Sequence, residues 1–409
     1  MRVMRIEAPG LIDVRSGRLV ERQAILVKDG RVVEVGPASA VATPDGALAS
    51  EFPHGVLIPG LIDTHTHLCF SGDGRTIEEV GTESRAHLLL RAANNSEVSL
   101  RSGVTSLCDN GSYDGLAIDL RDAIATNLLR GPDIFPCRTP LTITGGHCWP
   151  MGGEADGVEG IRRAVRAQVK RGASWIKVIA SGGGTRGANP NLPAFTLEEL
   201  RAAAHEAHSL GMRCAGHALC TSAVRSVLAA GFDMIIHGDF YRPDGTYEFD
   251  ETLADEIAAT GTWVNPTLHV ARATVWRLEA LKAERELTDQ EAAELKRRSA
   301  YVAEGADELQ RLVARGVRVV AGSDAGWRWY RFGRFCDEVE ALSAAGMGPG
   351  RALKSATLDA ADALGMREEA GSLEVGRRAD ILVLRGNPLE DIHALADVEA
   401  VFLAGERVL

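Results

Sequence analysis

The stretch Gly60-Leu61-Ile62-Asp63-Thr64-His65-Thr66-His67 ends an apolar run that begins at Val56, and it constrains the chain more than any other. In an extended strand successive side chains point to opposite faces, so His65 and His67 share a face and can close on one metal ion. Further strand-like runs follow at Val104 to Asp109, Ile134 to Arg138, Trp175 to Ala180, Met212 to His217, Met234 to His237, Thr262 to Pro266 and Val317 to Asp324. With Val56 to His65 these make eight, alternating with amphipathic helical segments, the pattern of a parallel α/β fold and the count of a closed barrel.

The flanks read differently. Ala24 to Val27, Lys28-Asp29-Gly30-Arg31 and Val32 to Val35 carry the Asp-Gly signature of a tight hairpin. Ala379 to Leu384 and Val398 to Leu403 give the C-terminus the same strand-rich texture. The expected organisation is a small β-sandwich from residues 1–55 plus 368–409 around a barrel over 56–367. Thr196-Leu197-Glu198-Glu199 and Thr288-Asp289-Gln290-Glu291 are capping boxes. The charged stretch 270–315 is roughly twice the length of one barrel helix, which predicts two helices with a solvated face, or alternatively a lid or a subunit contact.

Composition excludes several functions. A net charge of −11 without a basic patch argues against nucleic acid or an anionic membrane as partner. Seven scattered cysteines with no Cys-x-x-Cys pair fit small buried residues in a reducing compartment, not a disulfide framework or zinc knuckle. Charges interrupt the apolar residues of Met1 to Glu7, and no run approaches a membrane span. The expectation is a cytoplasmic homo-oligomer acting on a small molecule.

Barrel active sites assemble at the C-terminal ends of the strands. There the sequence places His65 and His67 on the first strand, Lys177 in the fourth, His217 on the fifth, His237 on the sixth and Asp324 on the eighth. Lys177 lies in Trp175-Ile176-Lys177-Val178-Ile179, where a buried parallel strand should be apolar throughout and a lone ammonium is costly. Desolvated beside cations, a lysine loses its proton readily and becomes a nucleophile.

These motifs, with Ser181-Gly182-Gly183, Gly216-His217-Ala218, Ile236-His237-Gly238 and Ala321-Gly322-Ser323-Asp324-Ala325, resemble the amidohydrolase superfamily along essentially the whole chain. The similarity points to the group near imidazolonepropionase and the prolidase-like enzymes. It implies a (β/α)₈ TIM barrel with a composite β-sandwich and a binuclear centre of two divalent ions, usually zinc. By that resemblance His65, His67 and Asp324 hold one ion and His217 and His237 the second. Lys177, carboxylated by CO₂, bridges them. A metal-bridging hydroxide would attack an amide carbonyl, and Asp324 would carry its proton to the leaving amine. Lactone, ester or phosphoester hydrolysis on the same site is the alternative; a mononuclear deaminase would lack Lys177, and a non-catalytic scaffold would have lost ligands.

His147, in Thr144-Gly145-Gly146-His147, resembles a loop histidine that contacts the substrate carbonyl. In dipeptide-cleaving relatives a tyrosine stands two residues after the fifth-strand histidine; here Leu219 does. Residues 326–335 pack five aromatics and three arginines into ten positions of a chain that is 5% aromatic. Trp327 would wall an apolar group, and Arg328, Arg331 or Arg334 would pair with a substrate carboxylate. His269, after the seventh strand, would line the same pocket.

Overall fold

Strands from the two ends of the chain meet in one sheet. The computed structural model describes residues 3–409, so Met1 and Arg2 lie outside the described residues. β1 (Val3–Asp13), β2 (Arg18–Lys28), β3 (Arg31–Pro37), β4 (Leu48–Glu51) and β5 (Val56–Pro59) come from the N-terminal side. β14 (Ile381–Leu384), β15 (Val398–Leu403) and β16 (Glu406–Arg407) come from the other. The order is β16-β15-β14-β5-β1-β2-β3, with β4 added to β1. Asp29 and Gly30 are both left-handed, at φ 49° and 81°, so the two-residue turn pairs Lys28 with Arg31.

Two parallel sheets follow. The first is β6 (Leu61–Thr66), β7 (Val104–Asp109) and β8 (Asp133–Pro136). The second runs through β9 (Ile176–Ile179), β10 (Cys214–Ala218), β11 (Met234–His237), β12 (Trp263–Asn265) and β13 (Arg318–Val319). Helices between the strands make this an α/β fold with parallel sheets. The two sheets touch at both margins, where Thr66 bridges to Ala325 and Leu141 to Val178. The Leu141 N–H donates to the Lys177 carbonyl at 2.8 Å, and the Asp324 N–H donates to the His65 carbonyl at 2.7 Å.

Two strand expectations are corrected. The run from Val56 to His65 is two strands, because β5 pairs antiparallel with β14 while β6 pairs with β7. Gly60 makes the switch: its N–H donates to the Asp380 carbonyl, and a Cβ there would lie 2.1 Å from Thr105 Oγ1. Only a residue without a side chain lets the two layers approach so closely. The eighth strand is also shorter than expected. After Val319 the backbone leaves regular pairing, and Asp324 sits in a loop with φ 58°.

Both capping boxes form, opening the helices Leu197–Ser209 and Asp289–Ala314. Stretch 270–315 does contain two helices, Leu268–Glu284 and Asp289–Ala314. All seven cysteines are free thiols, and all but Cys336 are buried. Among the described residues no helix is long and apolar enough to cross a membrane.

Candidate metal centre

Strand alternation sorts β9 into two faces. Ile176 and Val178 join the core beneath the helices, whereas Lys177 and Ile179 line a cavity of about 480 Å³. His65, His67, His217, His237 and Asp324 line the same cavity, so all six residues singled out at strand ends come together.

His65 Nε2 lies 3.3 Å from His67 Nε2, and Asp324 Oδ1 lies 3.5 and 3.2 Å from these two nitrogens. The second pair is His217 and His237, with His217 Nδ1 3.0 Å from His237 Nε2. Backbone carbonyls fix two of the tautomers. His67 Nδ1 donates to the Gly111 carbonyl at 3.0 Å, which leaves Nε2 as the lone-pair nitrogen facing His65. His217 Nε2 donates to the Gly182 carbonyl at 3.1 Å, which leaves Nδ1 facing His237. His237 Nδ1 meets Thr267 Oγ1 at 2.6 Å. His65 Nδ1 is buried with no partner.

The electrostatics favour neutral imidazoles. Burial, reinforced by the Lys177 charge and by neighbouring histidines, pushes His65 and His217 well below the usual range, and His237 is pushed to about 4, chiefly by burial. Burial also lowers Lys177 to about 8, opposed by the charge of Asp324. Lys177 makes no hydrogen bond or ion pair among the described residues. Burial raises Asp324, but the adjoining His67 ring, with His237 and Lys177 nearby, outweighs it and holds the carboxylate below its ordinary value. Neutral nitrogens and an ionised carboxylate converging on one point are the donor set a divalent cation requires. His65, His67 and Asp324 offer three such atoms within 4.8 Å of one another.

Asp63 orients this group. Its carboxylate accepts from the His65 N–H at 3.1 Å, the Ser323 N–H at 2.9 Å and the Ser323 hydroxyl at 2.5 Å, joining the first strand to the loop that carries Asp324. His147 stands beside His217, with ring centroids 4.9 Å apart. Its Nδ1 accepts from the Thr185 N–H at 3.2 Å, and the Thr185 hydroxyl lies 2.7 Å away. The proton of the neutral ring is therefore on Nε2, and burial holds His147 neutral by lowering it to about 3.

The expected substrate wall is met in part. Trp327 and Arg328 line the cavity. Arg331 is exposed and lies outside the lining. Arg334 points away to Asp337, a 2.7 Å ion pair three residues on. His269 is corrected too: Thr267, at φ 48°, turns the chain into a helix so that His269 packs against Tyr330 and Trp276 outside the cavity. Sequence reading missed Asp63 and Thr185, which touch the site through other residues, and also Arg297, Arg298 and Tyr301 of the helix Asp289–Ala314, which line the cavity. The adjacent arginines of that charged helix were the available signal.

The chain is 28% identical over 426 residues to ochratoxinase of Aspergillus niger, covering 96% of this chain and 83% of that one. It is 27% identical to imidazolonepropionase of Deinococcus radiodurans, covering 95% and 93%. The crystal structure of a Xaa-Pro dipeptidase with bound methionine in its active site superposes with a TM-score of 0.86, at 27% identity and 99% coverage of both chains. The model of the amidohydrolase family matches residues 56–408, and the chain belongs to that family of enzymes, hydrolases acting on amide bonds.

Proposed function

We propose that this enzyme cleaves an amide bond of a small molecule at a binuclear centre, with His65, His67 and Asp324 holding one divalent ion and His217 and His237 the second. The observation that carries the reading is the pair of carbonyl contacts that force His67 Nε2 and His217 Nδ1 to present lone pairs, each toward another histidine. A divalent cation bound between the rings would take up these buried lone pairs. Imidazole and carboxylate donors suit zinc.

Lys177 is read as the bridge. Once its ammonium has lost a proton, the neutral amine takes up CO₂ and releases a second proton, which would leave an anionic carbamate in place of a buried cation with no partner. Bound there, the ions supply an acidified water as nucleophile and Lewis acidity at the scissile carbonyl. The chain's own residues do the remainder. The Asp324 carboxylate receives a proton and delivers it to the departing nitrogen. His147 donates from Nε2 to the substrate carbonyl oxygen, and Trp327, edge-on to Phe70, walls the cavity against water.

The finer architecture follows the same reading. Ile62, Cys108, Cys137, Trp175, Ala215, Ile236, Trp263 and Val320, from or beside each of the eight parallel strands, share one core cluster. With the bridges at both margins this supports a closed (β/α)₈ barrel. Residues of β1 to β3 and of β14 and β15 share another core, with Phe52 edge-on to Phe402, which supports a sandwich-like terminal domain.

The test is metal analysis of the purified protein and of Lys177→Ala. The wild type should carry about two divalent ions per chain, and the variant should lose most of one or both because two cations are left without a shared anion. Full metal content in the variant would refute the bridge.

A further inference from the structure

Most enclosed arginines in this protein meet carboxylates, while Arg138 and Arg213 donate to the Gln168 side chain and to the Asp362 and Ala363 carbonyls. Arg5 pairs with Glu7, Arg91 with Glu83, Arg272 with Glu340, and Arg378 with Asp380. Three half-buried arginines have neither an ion pair nor a side-chain hydrogen bond among the described residues: Arg277, which lies over the Trp329 ring, and Arg298 and Arg328, which line the same cavity as the candidate metal ligands. Arg298 Nε is buried with no partner. Arg298 and Arg328 come from remote parts of the chain, the insertion helix Asp289–Ala314 and the loop after β13.

The loop is fixed, so Arg328 is aimed and not loose. The Gly72 N–H donates to the Gly326 carbonyl at 2.9 Å and the Gly74 N–H to the Arg328 carbonyl at 2.6 Å. Trp329 lies under the Arg277 guanidinium at 3.7 Å, which ties the loop to the insertion. Arg328 itself holds φ 54°, a left-handed conformation that costs a non-glycine residue energy and persists only where the surroundings impose it.

We propose that Arg298 and Arg328 form a two-pronged receptor for a substrate carboxylate, making the enzyme selective for amides that carry a free carboxylate next to an apolar group. This rests on the amide-hydrolase reading and deepens it. Two desolvated guanidiniums without a counter-ion are costly alone, and a planar carboxylate supplies the missing acceptors in bidentate geometry. Burial pushes Arg298 down to about 10, and the charges of Arg328 and Arg297 push the same way, so an arriving anion relieves a repulsion already present. Asp239 and Glu304 line the same cavity and would repel a dianion more than a carboxylate. Trp327, Met151, Ile179 and Val270 supply the apolar wall beside the arginines.

The experiment is calorimetric binding to the full-length, metal-loaded protein at low ionic strength. The probes are 3-phenylpropanoate and its uncharged, non-hydrolysable shape match 4-phenylbutan-2-one. The wild type should bind the acid at least about tenfold more tightly, and Arg298→Met and Arg328→Met should each reduce that ratio at least about fivefold with little change toward the ketone. Arg298→Lys and Arg328→Lys should keep part of the preference, since charge remains while the fork is lost. Each Met variant removes a cation with no partner and should melt no lower than the wild type; the Lys variants carry the test if one does not fold. Absence of an acid preference in the wild type overturns the proposal. So does its survival in either Met variant, which would place the carboxylate on the metal centre. Amide turnover is measured separately, so a protein that binds the acid through both arginines yet hydrolyses no amide refutes the proposed function and leaves the receptor standing.

Discussion

Gly183→Ala tests the placement of His147 without touching the imidazole. Gly183 needs no positive φ, so alanine fits the backbone, but its Cβ would lie 2.3 Å from His147 Cδ2 and 2.6 Å from Nε2. Ordinary contact begins near 3.4 Å, so the ring must retreat by about 1 Å or more. The Thr185 contacts to Nδ1 resist that movement, and the Nε2 donor swings away from its line to the substrate carbonyl. A misplacement of about 1 Å costs on the order of a hundredfold in rate, while overpacking against a side chain that can move costs about 1–3 kcal/mol of stability. The expected result is a kcat/KM about a hundredfold lower on the best amide substrate, with metal content unchanged and only a modest drop in Tm. The double variant Gly183→Ala/His147→Ala should be no slower than His147→Ala, because both act through one ring. Wild-type kcat/KM in Gly183→Ala, or a double variant much slower than His147→Ala, would falsify the assignment.

Two further substitutions probe separate links. Asp324→Asn should keep the fold and much of the metal but lower turnover by at least about a hundredfold, since an amide cannot shuttle the proton; unchanged turnover removes Asp324 from proton transfer. Arg378→Ala should cost about 3–5 kcal/mol in urea unfolding, because it strands the buried Asp380 and cuts contacts to Asp133 and Ser106 that join the terminal sheet to β7 and β8; a loss under about 1 kcal/mol would mean that Asp380 is satisfied otherwise.

That the six strand-end residues share one cavity was legible because strand alternation is a local rule: once Ile176 and Val178 face helices, Lys177 must face the other way. The same holds for the Asp29-Gly30 turn and for the boxes at Thr196 and Thr288, whose signals lie within four residues. The switch at Gly60 was not legible, since an apolar run reads the same whether it serves one sheet or two; only the approach of Thr105, 45 residues later, reveals it. Arg298 was hidden for a related reason. A charged helix presents many arginines, and which of them faces the cavity depends on how the helix lies over strands far away in sequence. Arg334 was the opposite case, because its partner Asp337 stands three residues on, at the spacing of neighbours on one helical face.

The sheet shared by both ends has a consequence for how the protein is made. β5 bonds to β1 on one side and to β14 on the other, and the pairing of Val56–Pro59 with Ile381–Leu384 cannot form until the last tenth of the chain exists. At about 5–20 residues per second the ribosome needs roughly 15–60 s to travel from one strand to the other. During that interval β5 presents an apolar, unpaired edge to its surroundings, and such an edge is a template for pairing with other chains. Synthesis rate and chaperone supply then bear on the yield of folded protein, and the exposed strand is the one that leads straight into His65 and His67.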